Sequence, residues 1–315
     1  MSGRTAIIGS GLIGRAWAIA FARSGWEVRL WDPAEEAAVR AREIIAELLA
    51  DLTNNEMLGG HAPEAVLNRI TSAPSLAAAM EGANWVQENA PEKLEVKKAL
   101  WKEMEPLAPP SAILASSTSA IVPSRFTEGL KSRERCLTAH PINPPYLVPA
   151  VELVPAPWTS QETMQRAEAV MRQIGQAPIM MRKEIDGFVM NRLQGALLEE
   201  AFRLVADGVC GVEDVDVGLR EGLALRWSFM GPFETIDLNA PGGVRDYAER
   251  YQGLYEGLFA SMQRRVDWCG PVMDEIEAER RSRVAAEDLP ERQRWRDRRL
   301  MALLRHKAKA RQEIG

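Results

Sequence analysis

The 315-residue sequence predicts an α/β fold, in which a mostly parallel sheet covered by helices is followed by an all-helical C-terminal domain. Three observations lead to this prediction. The chain opens with a strand, a glycine-rich loop, a helix and a second strand within about 30 residues. Strand-like and helical stretches then alternate up to residue 186, which is typical of a parallel sheet with helical crossovers. Beyond that point only helical stretches follow, so we expect a sheet domain over residues 1–186 and a helical domain over residues 187–315.

The first βαβ unit can be predicted element by element. Thr5–Ile8 is a short apolar segment with β-branched residues, as expected for a strand that is buried on both faces. Arg15–Ser24 is compatible with a helix that ends at Gly25, and Trp26–Trp31 forms the second strand. The crossover between these two parallel strands is expected to be right-handed.

The later elements are predicted from the periodicity of apolar residues. The expected strands are Trp85–Glu88, Ala112–Ala115, Cys136–Ala139 and Val151–Val154. The expected helices are Glu35–Leu52, Glu92–Glu105 and Glu162–Ile174 in the sheet domain, and Phe188–Asp207 in the helical domain.

Composition and charge exclude several classes of function. The 39 Lys and Arg against 44 Asp and Glu give a net charge of −5, which offers no electrostatic footprint for nucleic acid. No apolar run approaches the roughly 18 residues of a membrane span, and no signal-peptide pattern follows the first residue. The three cysteines are far apart and form no Cys-x-x-Cys pair, which disfavours a disulfide scaffold or a zinc site. We therefore expect a cytoplasmic protein that binds neither metal, nucleic acid nor membrane.

Gly9, Gly11 and Gly14 form a G-x-G-x-x-G pattern between the first strand and the first helix, as in Rossmann-type dinucleotide-binding domains. Gly9 permits the tight turn, Gly11 lets the backbone approach a pyrophosphate, and Gly14 allows close helix–strand packing. Asp32 ends the second strand, where it can accept hydrogen bonds from the adenosine ribose hydroxyls and would repel a 2′-phosphate. Because neither of the next two residues is Arg or Lys, we predict NAD rather than NADP. The loop alone is also compatible with FAD.

His140 and Glu152 are the candidate general base and its partner. His140 ends a predicted strand and begins the proline-rich loop His-Pro-Ile-Asn-Pro-Pro, at the strand end where ligands bind in open α/β sheets. Glu152 follows twelve residues later in the next strand, so the loop can fold it back against the imidazole. The imidazole would accept a hydroxyl proton while the carboxylate fixes the tautomer. The spacing is also compatible with a structural histidine beside a surface glutamate.

Several motifs occur in order along the chain: the glycine loop, Ser116-Ser117-Thr118-Ser119, His140-x-x-Asn143-Pro144, Glu152 and Asp186-Gly187-Phe188-x-x-Asn191-Arg192. Together they resemble the L-3-hydroxyacyl-CoA dehydrogenase superfamily. The segments Val151–Pro155, Arg226–Thr235 and Arg294–Asp297 are similar to its lambda-crystallin/L-gulonate 3-dehydrogenase branch. The resemblance therefore extends over nearly the whole chain.

This resemblance implies roles for individual residues. His140 would be the base and Glu152 its partner, while Ser119 and Asn191 would hydrogen-bond the substrate oxygen at the reacting carbon. Asn143 would support the same site. From the sequence alone, Ser119 is equally plausible as a helix cap. Asn191 lies on an otherwise apolar helix face, so its amide needs a partner from either the substrate or the backbone.

The resemblance also implies that Glu92 and Lys97 contact the ribose region of NAD, although their sequence context alone suggests a solvated pair on a helix.

The substrate class is predicted from the charge of residues 34–80 and from Arg226. Acyl-CoA enzymes usually offer Lys or Arg to the phosphorylated adenosine, yet residues 34–80 contain no lysine and three arginines against seven acids. The carboxylate of a small free hydroxy acid still needs a cationic partner. Arg226 is flanked by apolar residues in the sequence, and its guanidinium can bind a carboxylate bidentately. A salt bridge across a domain or dimer interface explains Arg226 equally well.

The sequence thus predicts an NAD-dependent dehydrogenase that oxidises the 3-hydroxyl of a small hydroxy acid, with L-gulonate to 3-dehydro-L-gulonate as the first candidate. One alternative is an L-3-hydroxyacyl-CoA dehydrogenase. Another is a carnitine dehydrogenase, for which the nine tryptophans could supply an aromatic cage. A third is a non-catalytic, NAD-binding crystallin-like protein. Apolar helix positions such as Leu193, Leu197 and Leu204, together with the resemblance, predict a homodimer through the helical domain.

Overall fold

The structure, a computed structural model, describes residues 3–314. They form two compact units. The first unit contains the chain up to Val189 and also the segment Arg296–Lys309, while the second contains Met190–Trp295 and the residues from Ala310 onward. The sequence suggested a division at residue 186 and gave no sign that Arg296–Lys309 belongs with the first unit.

An eight-stranded sheet forms the centre of the first unit. Its strands are β1 Arg4–Ile8, β2 Glu27–Trp31, β3 Ile70–Ser72, β4 Trp85–Glu88, β5 Ile113–Ser116, β6 Cys136–Pro141, β7 Ala150–Pro155 and β8 Ala177–Met180. Their order is β3-β2-β1-β4-β5-β6-β7-β8, and every neighbouring pair is parallel except β6 with β7. The predicted mostly parallel sheet is confirmed.

Two of these strands, β3 and β8, were not anticipated from the sequence. Both lie at the edges of the sheet, where one side of a strand has no neighbour. Strand β3 is only three residues long, and β8 contains Pro178 and is partly exposed. Edge strands tolerate proline and need no continuous apolar run, so neither strand has the pattern that identifies the central ones.

Helices cover both faces of the sheet. They are α1 Leu12–Arg23, α2 Ala37–Asn54, α3 Pro63–Leu67, α4 Leu76–Met80, α5 Leu94–Met104, α6 Ser124–Thr127 and α7 Gln161–Gln173. Alternate residues of β1 enter two separate cores, because successive side chains of a strand point to opposite faces. Ile7 packs in the core that contains Trp17 and Phe21 of α1, whereas Ile8 packs in the core that contains Trp101 of α5.

The second unit contains helices but no strand within its described residues. The helices that begin in this unit are α8 Met190–Ala206, α9 Val212–Val217, α10 Ala224–Trp227, α11 Pro232–Asp237, α12 Gly243–Phe259, α13 Pro271–Arg283 and α14 Leu289–Ile314. The predicted all-helical C-terminal domain is confirmed. No helix within residues 3–314 is both long enough and apolar enough to cross a membrane.

Candidate active site

The glycine loop after β1 has the shape that each glycine was expected to provide. Gly9 has a φ of +91°, and a Cβ there would lie 2.9 Å from the carbonyl oxygen of Asn89. A Cβ on Gly14 would lie 1.9 Å from the carbonyl oxygen of Gly9, so only glycine lets α1 approach the loop so closely. Gly11, at the N-terminus of α1, faces open space, and no side chain caps the helix there. The free N–H groups of α1 therefore fit a pyrophosphate.

Asp32 follows β2 and lines a cleft of about 700 Å³ beside this loop. One carboxylate oxygen accepts hydrogen bonds from the backbone N–H of Ser10 at 2.8 Å and from its hydroxyl at 3.0 Å. The other accepts the N–H of Ala34 at 3.0 Å. The remaining wall is mostly apolar and is formed by Trp31, Pro33, residues 89–91 and α5. An apolar cleft with one fixed carboxylate fits the adenosine half of NAD.

Asp32→Asn is expected to reduce the preference for NAD over NADP about tenfold, because it removes a negative charge that would face the 2′-phosphate. Asparagine keeps an acceptor for Ser10 and loses the one for the N–H of Ala34, so the glycine loop itself should keep its shape. The measurement is the ratio of the NADH and NADPH dissociation constants, followed by quenching of tryptophan fluorescence. Glu35→Gln removes a nearby charge outside the cleft and serves as the control. Equal affinity of the unmutated protein for both cofactors would contradict the assignment.

His140 and Glu152 face each other across the antiparallel pair β6–β7, where they are register partners. The His140 Nδ1 lies 2.6 Å from a Glu152 carboxylate oxygen, and both side chains are buried. The other carboxylate oxygen accepts the backbone N–H of Val189 at 2.6 Å, and the Phe188 ring packs against the imidazole with 5.5 Å between centroids. Glu152 is fully buried, so the expectation of a glutamate at the surface is wrong. A proton on Nδ1 leaves Nε2 as the basic nitrogen.

Glu92 holds the loop that follows β5 and carries Ser119. One carboxylate oxygen of Glu92 accepts the hydroxyl of Thr118 and the backbone N–H groups of residues 119–121, the latter at 3.0–3.3 Å. Burial raises the pKa of Glu92, but the hydrogen bonds from Thr118 and the backbone, together with the charge of Lys97, outweigh it and hold the pKa below its usual value. The ionised carboxylate thus fixes the backbone of Ser119, which is itself exposed.

Lys97 is almost completely buried, with 1% of its side chain exposed, so the interpretation as a solvated lysine is wrong. Its Nζ lies 2.9 Å from a carboxylate oxygen of Glu88 and 3.6 Å from one of Glu92. Glu88 is fully buried at the end of β4 and was missed in the sequence. Glu88 could have been noticed in the sequence, because it is an acidic residue at the end of a strand whose other residues indicate burial on both faces.

Three further candidates lie outside these clusters. Asn143 is exposed in the loop after β6 and precedes a cis peptide bond to Pro144. Asn191 is the second residue of α8, in the second unit, and is half-buried. Arg226, also in the second unit, is half-buried in α10, and its Nη1 lies 3.5 Å from the Asn239 side-chain oxygen. Among the described residues of its own unit, Arg226 forms no ion pair.

Most of the predicted site residues of the first unit lie at the carboxyl ends of the strands of its sheet. Gly9, Asp32 and Ser119 follow the carboxyl ends of β1, β2 and β5, and His140 lies near the end of β6. These strands are parallel neighbours or next neighbours, and the strand order reverses between β1 and β4. Ligands of open α/β sheets bind at such a reversal. Within residues 3–314 no group of three or more His, Cys, Asp and Glu side chains is placed to hold a metal ion.

Comparisons with known proteins agree with this architecture. The model of the 3-hydroxyacyl-CoA dehydrogenase NAD-binding domain matches residues 4–185, and that of the C-terminal domain of the same family matches residues 187–283. The lambda-crystallin homolog of Mus musculus is 40% identical over 305 residues, which cover 96% of this chain and 95% of that protein. The L-carnitine dehydrogenase/betainyl-CoA thioesterase of Rhizobium meliloti is 35% identical and is matched over 98% of this chain and 61% of its own length.

Among solved structures, one similar chain is a 5-formyl-3-hydroxy-2-methylpyridine 4-carboxylic acid 5-dehydrogenase, described as an NAD+-dependent dismutase. The two chains share 28% identity with a TM-score of 0.83, and the match covers 98% of this chain and 99% of the other. The similarity thus includes both units rather than the sheet alone.

Proposed function

Because this chain belongs to the 3-hydroxyacyl-CoA dehydrogenase family and is an NAD-dependent oxidoreductase acting on CH–OH groups, we propose that it oxidises the 3-hydroxyl of a small free hydroxy acid. L-Gulonate, giving 3-dehydro-L-gulonate, is the first candidate. The observation that carries the chemistry is the buried contact of 2.6 Å between His140 and Glu152. We assign cofactor binding to the 1–186 domain, and substrate binding and dimerisation to the 187–315 domain.

In this mechanism His140 is the general base. Its Nε2 accepts the proton of the substrate hydroxyl, and Glu152 holds the Nδ1 proton and stabilises the imidazolium that forms. The Ser119 hydroxyl and the Asn191 amide hydrogen-bond the oxygen at the reacting carbon, and Asn143 supports the same site. When bound, NAD supplies the hydride acceptor.

The cofactor would be held by the glycine loop, by Asp32 and, in its ribose region, by Glu92. Lys97 was also predicted to contact this ribose region. In the structure its ammonium is enclosed by Glu88, Ser116 and the carbonyl of Ala90. We therefore propose that Lys97 acts on the cofactor site through its carboxylate partners.

The substrate class is inferred from the cations of residues 34–80, which include α2, α3, β3 and α4. A phosphorylated adenosine needs free Lys or Arg side chains. Two of the three arginines of this segment donate to backbone carbonyls, Arg42 to Ile70 at 3.0 Å and Arg69 to Ala22 at 3.0 Å. The third, Arg40, is exposed and pairs with the neighbouring Glu36 at 3.3 Å. This favours a substrate without CoA, and we assign its carboxylate to Arg226.

Carnitine is a second candidate substrate, because it carries a carboxylate, a 3-hydroxyl and a quaternary ammonium group. Aromatic side chains near Arg226 in the sequence are exposed in the second unit, with Phe229 71% and Phe233 78% accessible and Trp227 also exposed. Such rings can bind a quaternary ammonium ion. The relative from Rhizobium meliloti is itself named as a carnitine dehydrogenase.

The proposal is tested by measuring NADH formation with L-gulonate, L-3-hydroxybutyrate, carnitine and 3-hydroxybutyryl-CoA. L-Gulonate is expected to give the highest kcat/KM, and carnitine the next. If the CoA thioester is best, the assignment of a small free acid is wrong. If none is oxidised although NADH binds, the proposed substrate class is wrong and the result supports the non-catalytic, NAD-binding alternative.

We also propose a homodimer formed through the second unit, because that unit leaves much apolar surface uncovered. Among its described residues, the buried apolar cluster is small and consists of Val205, Val212 and Val272. Leu193 is 65% exposed, and Leu197 and several aromatic residues are exposed as well. An apolar surface of this extent marks an interface.

Light scattering at micromolar concentration is expected to show a dimer, and Phe233→Glu should shift it toward the monomer, since burying an unpaired carboxylate is costly. Val39→Glu places the same charge on an exposed position of α2 in the first unit and should have no effect. A monomeric unmutated protein would contradict the proposal.

A further inference from the structure

Glu88, at the carboxyl end of β4, is a charged group that neither the glycine loop nor the His140–Glu152 pair explains. It is fully buried, and a buried carboxylate is stable only when hydrogen bonds and an opposite charge compensate it. One oxygen accepts the Lys97 ammonium at 2.9 Å and the backbone N–H of Ala90 at 2.6 Å. The other accepts the Ser116 hydroxyl at 2.5 Å and the Trp101 indole N–H at 3.1 Å. Four donors thus converge on this single side chain.

These donors connect Glu88 to two functional segments. Ala90 belongs to residues 89–91, which form one wall of the cofactor cleft. The Ser116 hydroxyl, besides donating to Glu88, accepts the backbone N–H of Thr118 at 3.1 Å, at the start of the loop that carries Ser119. A single carboxylate therefore links the cleft wall after β4 to the loop after β5.

Lys97 extends the same network. Its ammonium lies between Glu88 and Glu92, and Glu92 accepts the N–H groups of residues 119–121. The loop is therefore fixed at two points, by Ser116 at Thr118 and by Glu92 at the three following residues. A neutral residue at position 88 would leave the Lys97 charge buried beside Glu92 alone.

We propose that Glu88 is a positioning residue, which together with Lys97 and Ser116 fixes the 118–121 loop relative to the wall of the cofactor cleft. Its importance for turnover rests on the proposed role of Ser119 at the reacting carbon. A displacement of about 1 Å in such a group can cost on the order of 100-fold in rate, so loosening the loop should lower kcat without unfolding the protein.

Glu88→Gln/Lys97→Met tests the network with both buried charges removed, which is often nearly neutral for stability. Hydrogen–deuterium exchange of the amides at 118–121 is expected to be at least tenfold faster, and kcat on the best substrate of the panel about 10- to 100-fold lower. Glu168→Gln/Arg172→Met removes an exposed ion pair of α7 in the same unit and should change neither quantity.

Ser116→Ala keeps both charges and removes only the hydroxyl between Glu88 and Thr118. If the double variant does not fold, this variant tests whether the network holds the 118–121 loop. It should also speed exchange at Thr118 and lower kcat, with the melting temperature almost unchanged. Unchanged exchange in the folded variants would overturn the proposal, whereas faster exchange with normal kcat would support the loop assignment and overturn its importance for turnover. If the unmutated protein oxidises nothing in the panel, the proposed function fails, while the exchange data still decide whether Glu88 holds the loop.

Discussion

His140→Ala is expected to lower kcat by a factor on the order of 10²–10⁴ and to leave NADH affinity nearly unchanged. The substitution removes the nitrogen that accepts the hydroxyl proton, whereas the residues that line the cofactor cleft, Asp32 and the glycine loop among them, are untouched. Initial rates with the best substrate and NADH titrations measure the two effects separately. A variant with normal activity would refute the mechanism.

Alanine at this position also takes away one partner of the buried Glu152 carboxylate, so a stability loss of about 1–3 kcal/mol can accompany the loss of rate. His140→Asn separates the two effects, because the asparagine amide can still donate a hydrogen bond to Glu152 but cannot act as a base. It should be as inactive as the alanine variant and melt at a higher temperature. His61→Ala changes an exposed histidine in a loop and should behave as the unmutated protein.

Glu152→Gln should reduce kcat with little change in NADH binding. The glutamine amide can turn its NH₂ toward Nδ1 and select the tautomer in which Nε2 carries the proton, so the imidazole no longer accepts one from the substrate. Thermal melting should show a folded protein, because glutamine has nearly the shape of glutamate and keeps an acceptor for Val189.

Arg226→Met should raise KM for a small hydroxy acid by roughly 10- to 150-fold. This range corresponds to the loss of a charged hydrogen-bond partner, about 1.5–3 kcal/mol. Among the described residues of its own unit, the guanidinium forms one long contact of 3.5 Å, with the Asn239 side chain. Most of its donors are therefore available to a carboxylate. Measuring KM for L-gulonate and for 3-hydroxybutyryl-CoA distinguishes the substrate classes, since the thioester has no free carboxylate at its acyl end.

Arg220→Met is the matched control, because Arg220 is an exposed arginine of the same unit that pairs with Glu213 and Glu221. It should leave KM unchanged. If Arg226→Met also keeps its KM for L-gulonate, Arg226 is structural and the carboxylate must be bound elsewhere.

The parts of the site that were predictable from the sequence are those in which one local motif determines both conformation and chemistry. The glycine loop is such a motif, because Gly9 needs a positive φ and Gly14 packs against the carbonyl of Gly9 within the same short segment. His140 and Glu152 were also predictable, since a short loop between two strands brings them to opposite register positions.

Glu88 and Lys97 show why the rest was not predictable. A lysine on an amphipathic helix has the sequence context of a solvated residue, and only the packing of α5 against β4 and β5 reveals that its partner is buried. The segment Arg296–Lys309 is similar, because its many arginines conceal the single buried residue, Met301, that joins it to the core of the first unit.

The antiparallel pairing of β6 and β7 has a consequence for how enzymes of this architecture can diversify. Inserting one residue within either strand would turn His140 or Glu152 to the opposite face of the sheet and destroy the pair. The loop between the strands, from Ile142 to Pro149, is under no such restriction, since changing its length leaves the cross-strand register intact. A change of length in this loop would therefore spare the proton-transfer pair, and its limits are set instead by Tyr146 and Leu147, which are buried in the core.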